Sequence, residues 1–272
     1  MTAAFGARLH AAMADRGALC VGIDPHASLL LDWGLGDDVA GLERFARTCV
    51  EAFAGSTAVL KPQSAFFERM GARGIAVLET VIAEARSAGA LVLLDAKRGD
   101  LGSTMQGYAD AYLRSSSPLA VDAITVNPYL GFESLRPMLT AAEENLAGVF
   151  VVALTSNPEG PQVQRAAMEG GGTVAGAVLA AVRAENAGAT PMGSVGAVVG
   201  ATLPSLDEDV SVNGPLLVPG YGVQGGSAAH IRRLFAGAYP RVLPSTSRGV
   251  LRAGPSVSAL CSAAARCQEE LA

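Results

Sequence analysis

The sequence predicts an α/β protein, a single (β/α)8 TIM barrel spanning residues 1–272. Three observations predict it. Short runs rich in Val, Leu and Ile recur between longer Ala-, Arg- and Glu-rich segments of helical periodicity, the alternation of βα units rather than of a sandwich. The runs number eight, enough to close a barrel, and they are continuously apolar, as strands covered by helices are. Finally, 272 residues of which 50% are apolar can bury a large core, and no Pro/Ser-rich linker divides the chain. A doubly wound open sheet is the other arrangement these units could adopt.

Taken in order, the strands are expected at 18–24, 57–62, 90–95, 121–126, 148–154, 194–200, 215–219 and 241–245. Helices are expected in the intervals at 42–54, 74–87, 104–113, 133–145, 173–186 and 226–235. Barrel enzymes place their chemistry at the C-terminal ends of the strands, so the residues that end each run matter most. Here they are polar: Asp24, Lys61, Asp95 with Lys97, Asn127, Ser156 with Asn157, Thr202, Gln224, and Ser247 with Arg248. The longest irregular stretch, 157–172, is rich in Gly, Pro and Gln and suits a loop that closes over a ligand.

The net charge of −5 comes without any block of Lys or Arg, which argues against nucleic acid or a membrane surface as partner. The first sixteen residues carry Arg8, Asp15 and Arg16 without a continuous apolar run, so no signal peptide is expected, and no segment holds the ~20 apolar residues of a membrane span. Cys20, Cys49, Cys261 and Cys267 form no CxxC pair and read as reduced thiols of a cytoplasmic protein rather than as metal ligands or disulfides. His10, His26 and His230 are scattered, and no metal site or cofactor is expected.

The lysines carry the strongest internal signal. Lys61 and Lys97 are the only two in the chain, every other cation is arginine, and both end expected strands. A compact ammonium is thus kept only where the barrel mouth should lie. In Leu91-Val92-Leu93-Leu94-Asp95-Ala96-Lys97 the two-residue period puts Asp95 and Lys97 on one side if the strand stays extended, both pointing inward. Arg98-Gly99 can then turn the chain and return Asp100 to the same mouth, which would set an ammonium between two carboxylates. Such an ammonium suits a proton donor rather than a Schiff-base amine, although Lys61 as a neighbouring cation keeps an aldolase open. A buried ion pair closing a barrel layer is the purely structural alternative.

A second signal is Pro219-Gly220-Tyr221-Gly222-Val223-Gln224-Gly225, which has the G-x-G-x-x-G form. As a dinucleotide fingerprint it fails, since that motif wants an acid about 20 residues on and no Asp or Glu occurs from Val210 to Gln268. A glycine-rich loop after strand seven with an arginine after strand eight is instead the usual phosphate site of these barrels. Asp24 could accept from a ribose hydroxyl or merely cap a turn, and Ser156 with Asn157 could read an amide-like base edge or be plain turn residues.

The stretch Leu94-Asp95-Ala96-Lys97-Arg98-Gly99-Asp100, followed by Ser103-Thr104, closely resembles the signature of the orotidine 5′-monophosphate decarboxylases, in their longer bacterial subgroup. The resemblance continues through Val21-Gly22-Ile23-Asp24-Pro25, Leu60-Lys61-Pro62, Val126-Asn127-Pro128-Tyr129, Leu154-Thr155-Ser156-Asn157-Pro158, Pro219-Gly220-Tyr221-Gly222 with Gln224, and Ser247-Arg248-Gly249. It implies that Lys61, Asp95, Lys97 and Asp100 form a charged network, that Asp24 binds the ribose and that Ser156 contacts the pyrimidine. Gln224 and Arg248, beside Pro219 and Ser247, would hold the phosphate. Asp100 and Thr104 would reach the partner's site in a homodimer. Orotidine 5′-monophosphate and UMP would be the ligands, with no cofactor. Ser247 departs from the shorter members, which carry glycine there. Metal-dependent sugar-phosphate decarboxylases or aldolases of the same barrel superfamily also resemble the 95–100 stretch, but they hold magnesium with a glutamate where Lys61 stands and would repel it. A non-catalytic phosphate-ligand-binding barrel is the alternative of another class.

Overall fold

Eight parallel strands follow one another around a ring: β1 (Cys20–Ile23), β2 (Val59–Pro62), β3 (Leu91–Arg98), β4 (Ala123–Val126), β5 (Gly148–Leu154), β6 (Val195–Val199), β7 (Leu216–Pro219) and β8 (Val242–Thr246). The last pairs with the first through Cys20↔Ser245 and Val21↔Thr246, which closes the barrel and sets aside the open-sheet arrangement. The computed structural model describes residues 3–223 and 225–272.

Period-two alternation decides what the barrel holds, because residues two apart on a strand share a face. Cys20, Val59, Leu91, Leu93, Ala123, Phe150, Val198, Leu217 and Leu243 form one apolar cluster inside it. Helix α1 (Phe5–Arg16) plugs the floor by adding Phe5, Leu9 and Ala12 to that cluster. Phe5 meets Phe150 edge to face with ring centroids 6.0 Å apart, a preferred aromatic geometry. Gly148 makes room for it, since a Cβ there would lie 2.2 Å from the Phe5 ring. The opposite strand faces, among them Val21, Leu60, Val92, Ile124 and Val151, pack against the helices in a second and larger cluster.

One further step of two residues up the inner column changes the chemistry. Lys61 follows Val59, Asp95 follows Leu93, Thr125 follows Ala123, Pro219 follows Leu217 and Ser245 follows Leu243. Lys61, Asp95, Thr125 and Ser245 are all buried. The barrel is therefore filled with hydrocarbon below and floored with charge at its C-terminal mouth.

The helices are α1, then α2 (Ala27–Asp32), α3 (Val39–Phe53), α4 (Ser64–Glu68), α5 (Gly71–Ser87), α6 (Gly102–Leu113), α7 (Arg136–Glu144), α8 (Pro161–Gln164), α9 (Val174–Glu185), α10 (Ala228–Leu234), α11 (Arg248–Leu251) and α12 (Val257–Leu271). Asp38, Thr173, Ser227 and Ser256 cap α3, α9, α10 and α12 by accepting a backbone N–H. The six expected helices are present with ends shifted by a few residues; α1, α2, α4, α8, α11 and α12 stand beyond them. Between β6 and β7, residues 200–215 form no helix, yet Leu203 and Val212 are buried.

Candidate active site

The centre of the site is built by a break in β3. Its pairing with β4 shifts register between Leu94 and Arg98, and Lys97 has φ +48, in the left-handed region. The strand thus does not stay extended, as the inward-pointing expectation for Lys97 required. The turn still delivers its side chain to the carboxylate: Lys97 Nζ lies 2.5 Å from Asp95 Oδ1, and Lys61 Nζ lies 2.9 Å from Oδ2. Thr125 Oγ1 donates to Asp95 Oδ1 at 2.9 Å and accepts the N–H groups of Ala96 and Lys97 at 3.0 and 2.9 Å.

Each carboxylate oxygen thus holds one ammonium, in a setting of low polarisability where such pairs interact strongly. Burial alone would raise the pKa of Asp95, but Lys61 and Lys97 outweigh it and hold the carboxyl well below the usual range. Burial likewise works against the Lys61 ammonium, and Asp95 with Asp24 outweighs it, so its pKa stands above that of an ordinary lysine. The thiol of Cys20, beneath them, is pushed up to about 12 chiefly by burial and stays protonated. Exposure separates the two lysines: the side chain of Lys61 is 7% exposed and that of Lys97 47%. Lys97 is the one that a ligand can meet.

Beside this cluster opens a cavity lined by Asp24, Lys61, Pro219, Tyr221, Ser247 and Arg248, among others. Asp24 brings a buried Oδ1 with no hydrogen-bond partner, an acceptor that a ligand hydroxyl would satisfy. Among the described residues Arg248 pairs with no carboxylate. The backbone here turns at Gly220 (φ +107) and Gly222 (φ +82), where only glycine is unstrained, and the N–H groups of Tyr221, Gly222, Gly225 and Gly226 donate to the carbonyls of Ser245, Gly226, Gly222 and Gly220. Tyr221 between them is anchored elsewhere: its hydroxyl donates to Glu270 Oε2 of α12 at 2.6 Å, and its pKa is raised, chiefly by burial and then by that carboxylate. Ser247 has φ −130, which serine adopts as readily as glycine, and its carbonyl accepts the N–H groups of Val250 and Leu251.

Not every expected residue joins this group within one chain. The Asp100 carboxylate accepts the N–H of Leu101 at 2.7 Å and, among the described residues, makes no ion pair with Lys97. The carboxylate, ammonium, carboxylate cluster expected from the Arg98-Gly99 turn is therefore not assembled by a single chain. Thr104 is exposed in the first turn of α6. Ser156 is exposed past the end of β5 and backs onto Gly200, where an added Cβ would lie 3.3 Å from its own. Gln224 lies outside the described residues; its neighbour Val223 lines the cavity. Among the described residues no three His, Cys, Asp or Glu side chains converge as metal ligands would, and no helix is long and apolar enough to cross a membrane.

Thr125 and Glu270 escaped sequence reading. Thr125 could have been found by carrying the two-residue register of β4 up to the mouth, where it shares a layer with Asp95. The Tyr221–Glu270 contact joins residues 49 positions apart and left no local signal.

A family model described as orotidine 5′-phosphate decarboxylase / HUMPS family matches residues 17–262, a span holding every residue of the mouth. The chain belongs to this family. Its relatives include an orotidine 5′-phosphate decarboxylase of Nocardioides sp., 67% identical over 251 residues that make up 91% of this chain and 92% of the relative. Another, from Streptomyces coelicolor, is 61% identical over 268 residues, 98% of this chain and 96% of the relative. A crystallised Streptomyces avermitilis chain assigned to the same activity is 62% identical and superposes with a TM-score of 0.98, covering 99% of this chain and 95% of its own.

Proposed function

We propose that the protein is an enzyme that decarboxylates orotidine 5′-monophosphate to uridine 5′-monophosphate in de novo pyrimidine biosynthesis, with no metal or cofactor. The observation that carries this is the buried carboxylate of Asp95 with an ammonium on each oxygen, Lys61 sealed below and Lys97 open to the mouth.

The chemistry explains those residue types. When the bond from C6 to the carboxylate breaks, CO₂ leaves and the electron pair stays on C6 in the plane of the ring, where the π-system cannot take it up. A fixed positive charge must stabilise it, and the Lys97 ammonium supplies that charge and then its own proton, giving UMP and an amine that regains a proton from water. Asp95 and Lys61 are held in place before substrate arrives, so little reorganisation opposes the developing charge. Repulsion between Asp95 and the departing carboxylate is a secondary contribution.

The rest of the mouth supplies binding. The unpaired Asp24 Oδ1 accepts a ribose hydroxyl, and Arg248 with the Pro219 to Gly225 loop holds the phosphate in a stretch free of acidic residues. Gln224 and Ser247 complete that end, and Ser156 contacts the pyrimidine. Phosphate contacts contribute remote binding energy that orders the 157–172 loop over the reacting ring. Asp100 and Thr104, turned away from their own Lys97, serve the second site of a homodimer. The protein works as one domain over 1–272, in the cytoplasm.

The test is spectroscopic. Purified protein mixed with orotidine 5′-monophosphate in the presence of a chelator should consume the orotate absorbance and yield UMP. An unchanged spectrum, or activity that the chelator removes, would overturn the proposal.

A further inference from the structure

We infer that Thr125 is a positioning residue for the decarboxylation, fixing the left-handed turn that aims the Lys97 ammonium. The inference rests on the proposed role of Lys97 and adds to it a residue that touches no substrate.

The register shift in β3 leaves Ala96 and Lys97 without strand partners, and a buried N–H without an acceptor is costly. Thr125 Oγ1 accepts both, and gives its one proton to Asp95 Oδ1, the same oxygen that Lys97 Nζ meets. A hydroxyl offers one donor and two acceptor positions, so this one is saturated. Thr125 is 1% exposed, and its bond to Asp95 is buried. A non-glycine residue at φ +48 costs on the order of 1–3 kcal/mol and persists only where surroundings impose it. Here the imposing group also bonds the carboxylate that Lys97 pairs with, so one side chain sets both ends of the Asp95–Lys97 contact.

Packing alone would not choose threonine. The flanking positions of β4 are Ile124 and Val126, and valine has the same branched shape and suits a buried strand better. What threonine adds is the oxygen, and the oxygen is wholly committed to the Asp95 to Lys97 segment.

The test compares Thr125→Val, which keeps shape and removes the hydroxyl, with Thr125→Ser, which keeps the hydroxyl. Misplacing a reacting group by about 1 Å can cost about 100-fold. The valine variant should therefore lose kcat by about that factor while KM and the dissociation constant for UMP stay within about threefold of the parent. The serine variant should recover kcat to within about threefold. Should the valine variant not fold, Thr125→Ala gives a second hydroxyl-free chain for the same readouts. Parent-like kcat without the hydroxyl would overturn the inference, as would UMP affinity falling in step with kcat, or serine as slow as valine. Lys97→Ala, measured alongside, separates the two claims: if it turns over normally the role of Lys97 itself fails, whereas a dead Lys97→Ala with a fully active Thr125→Val removes only the role of Thr125.

Discussion

Asp95 carries a formal charge inside a barrel that is otherwise hydrocarbon, and its two lysine partners decide when that charge is lost. Its folded pKa is depressed, so its contribution to stability is complete above the unfolded value of about 3.9 and disappears as acid takes the pH down through the folded value. Lys61 has the opposite sign. Its folded pKa is raised, so its contribution is complete below about 10.4 and disappears as base takes the pH up through the folded value. The difference in urea midpoint between the parent and Asp95→Asn should therefore shrink as the pH falls below about 4. A difference that stays constant down through that range would mean that the carboxylate is not held as described. At this scale much was legible. Two lysines in a chain of arginines, each at a strand end, located the pair from composition and period alone. The turn at Lys97 was not legible, because nothing local to Ala96 and Lys97 requires it; the N–H of Lys97 is held by a hydroxyl 28 residues away.

The loop between β7 and α10 joins the proposed phosphate end of the cavity to the last helix through the hydrogen bond from Tyr221 to Glu270. A hydrogen bond to a charged group contributes about 1.5–3 kcal/mol. Tyr221→Phe removes it and frees a loop whose glycines at 220 and 222 resist no motion. The kcat/KM for orotidine 5′-monophosphate should fall about tenfold, with KM raised and kcat lowered together, since phosphate binding energy also orders the reacting centre. A fall in kcat at unchanged KM would place Tyr221 with the chemistry instead. The G-x-G-x-x-G spelling and the absence of acids from 210 to 268 marked this element as anionic-ligand machinery. Its anchor was hidden because α12 had no sequence signal strong enough to be expected, and side-chain bonds between distant elements leave no periodic trace.

Across the whole molecule the design is a column: aromatic and aliphatic side chains from the Phe5 plug up to Leu93, then a charged layer, then loops. The alternation of strands and helices predicted the column, and barrel closure between β1 and β8 is what converts eight strand ends into one mouth. The orientation of Asp100 belongs to this scale, because its carboxylate turns to Leu101 rather than to its own Lys97. If each site borrows Asp100 from the partner subunit, two inactive variants should complement. Equal amounts of Asp100→Ala and Lys97→Ala, mixed under conditions that exchange subunits, should give about a quarter of the parent activity, since half of the dimers then carry one intact site. No recovery, with exchange demonstrated, would place Asp100 in its own chain's site. The most direct measurement of the whole account is turnover of orotidine 5′-monophosphate by Lys97→Ala. The account predicts loss of all measurable decarboxylation with parent-like thermal stability and retained UMP binding, and turnover near that of the parent would contradict it.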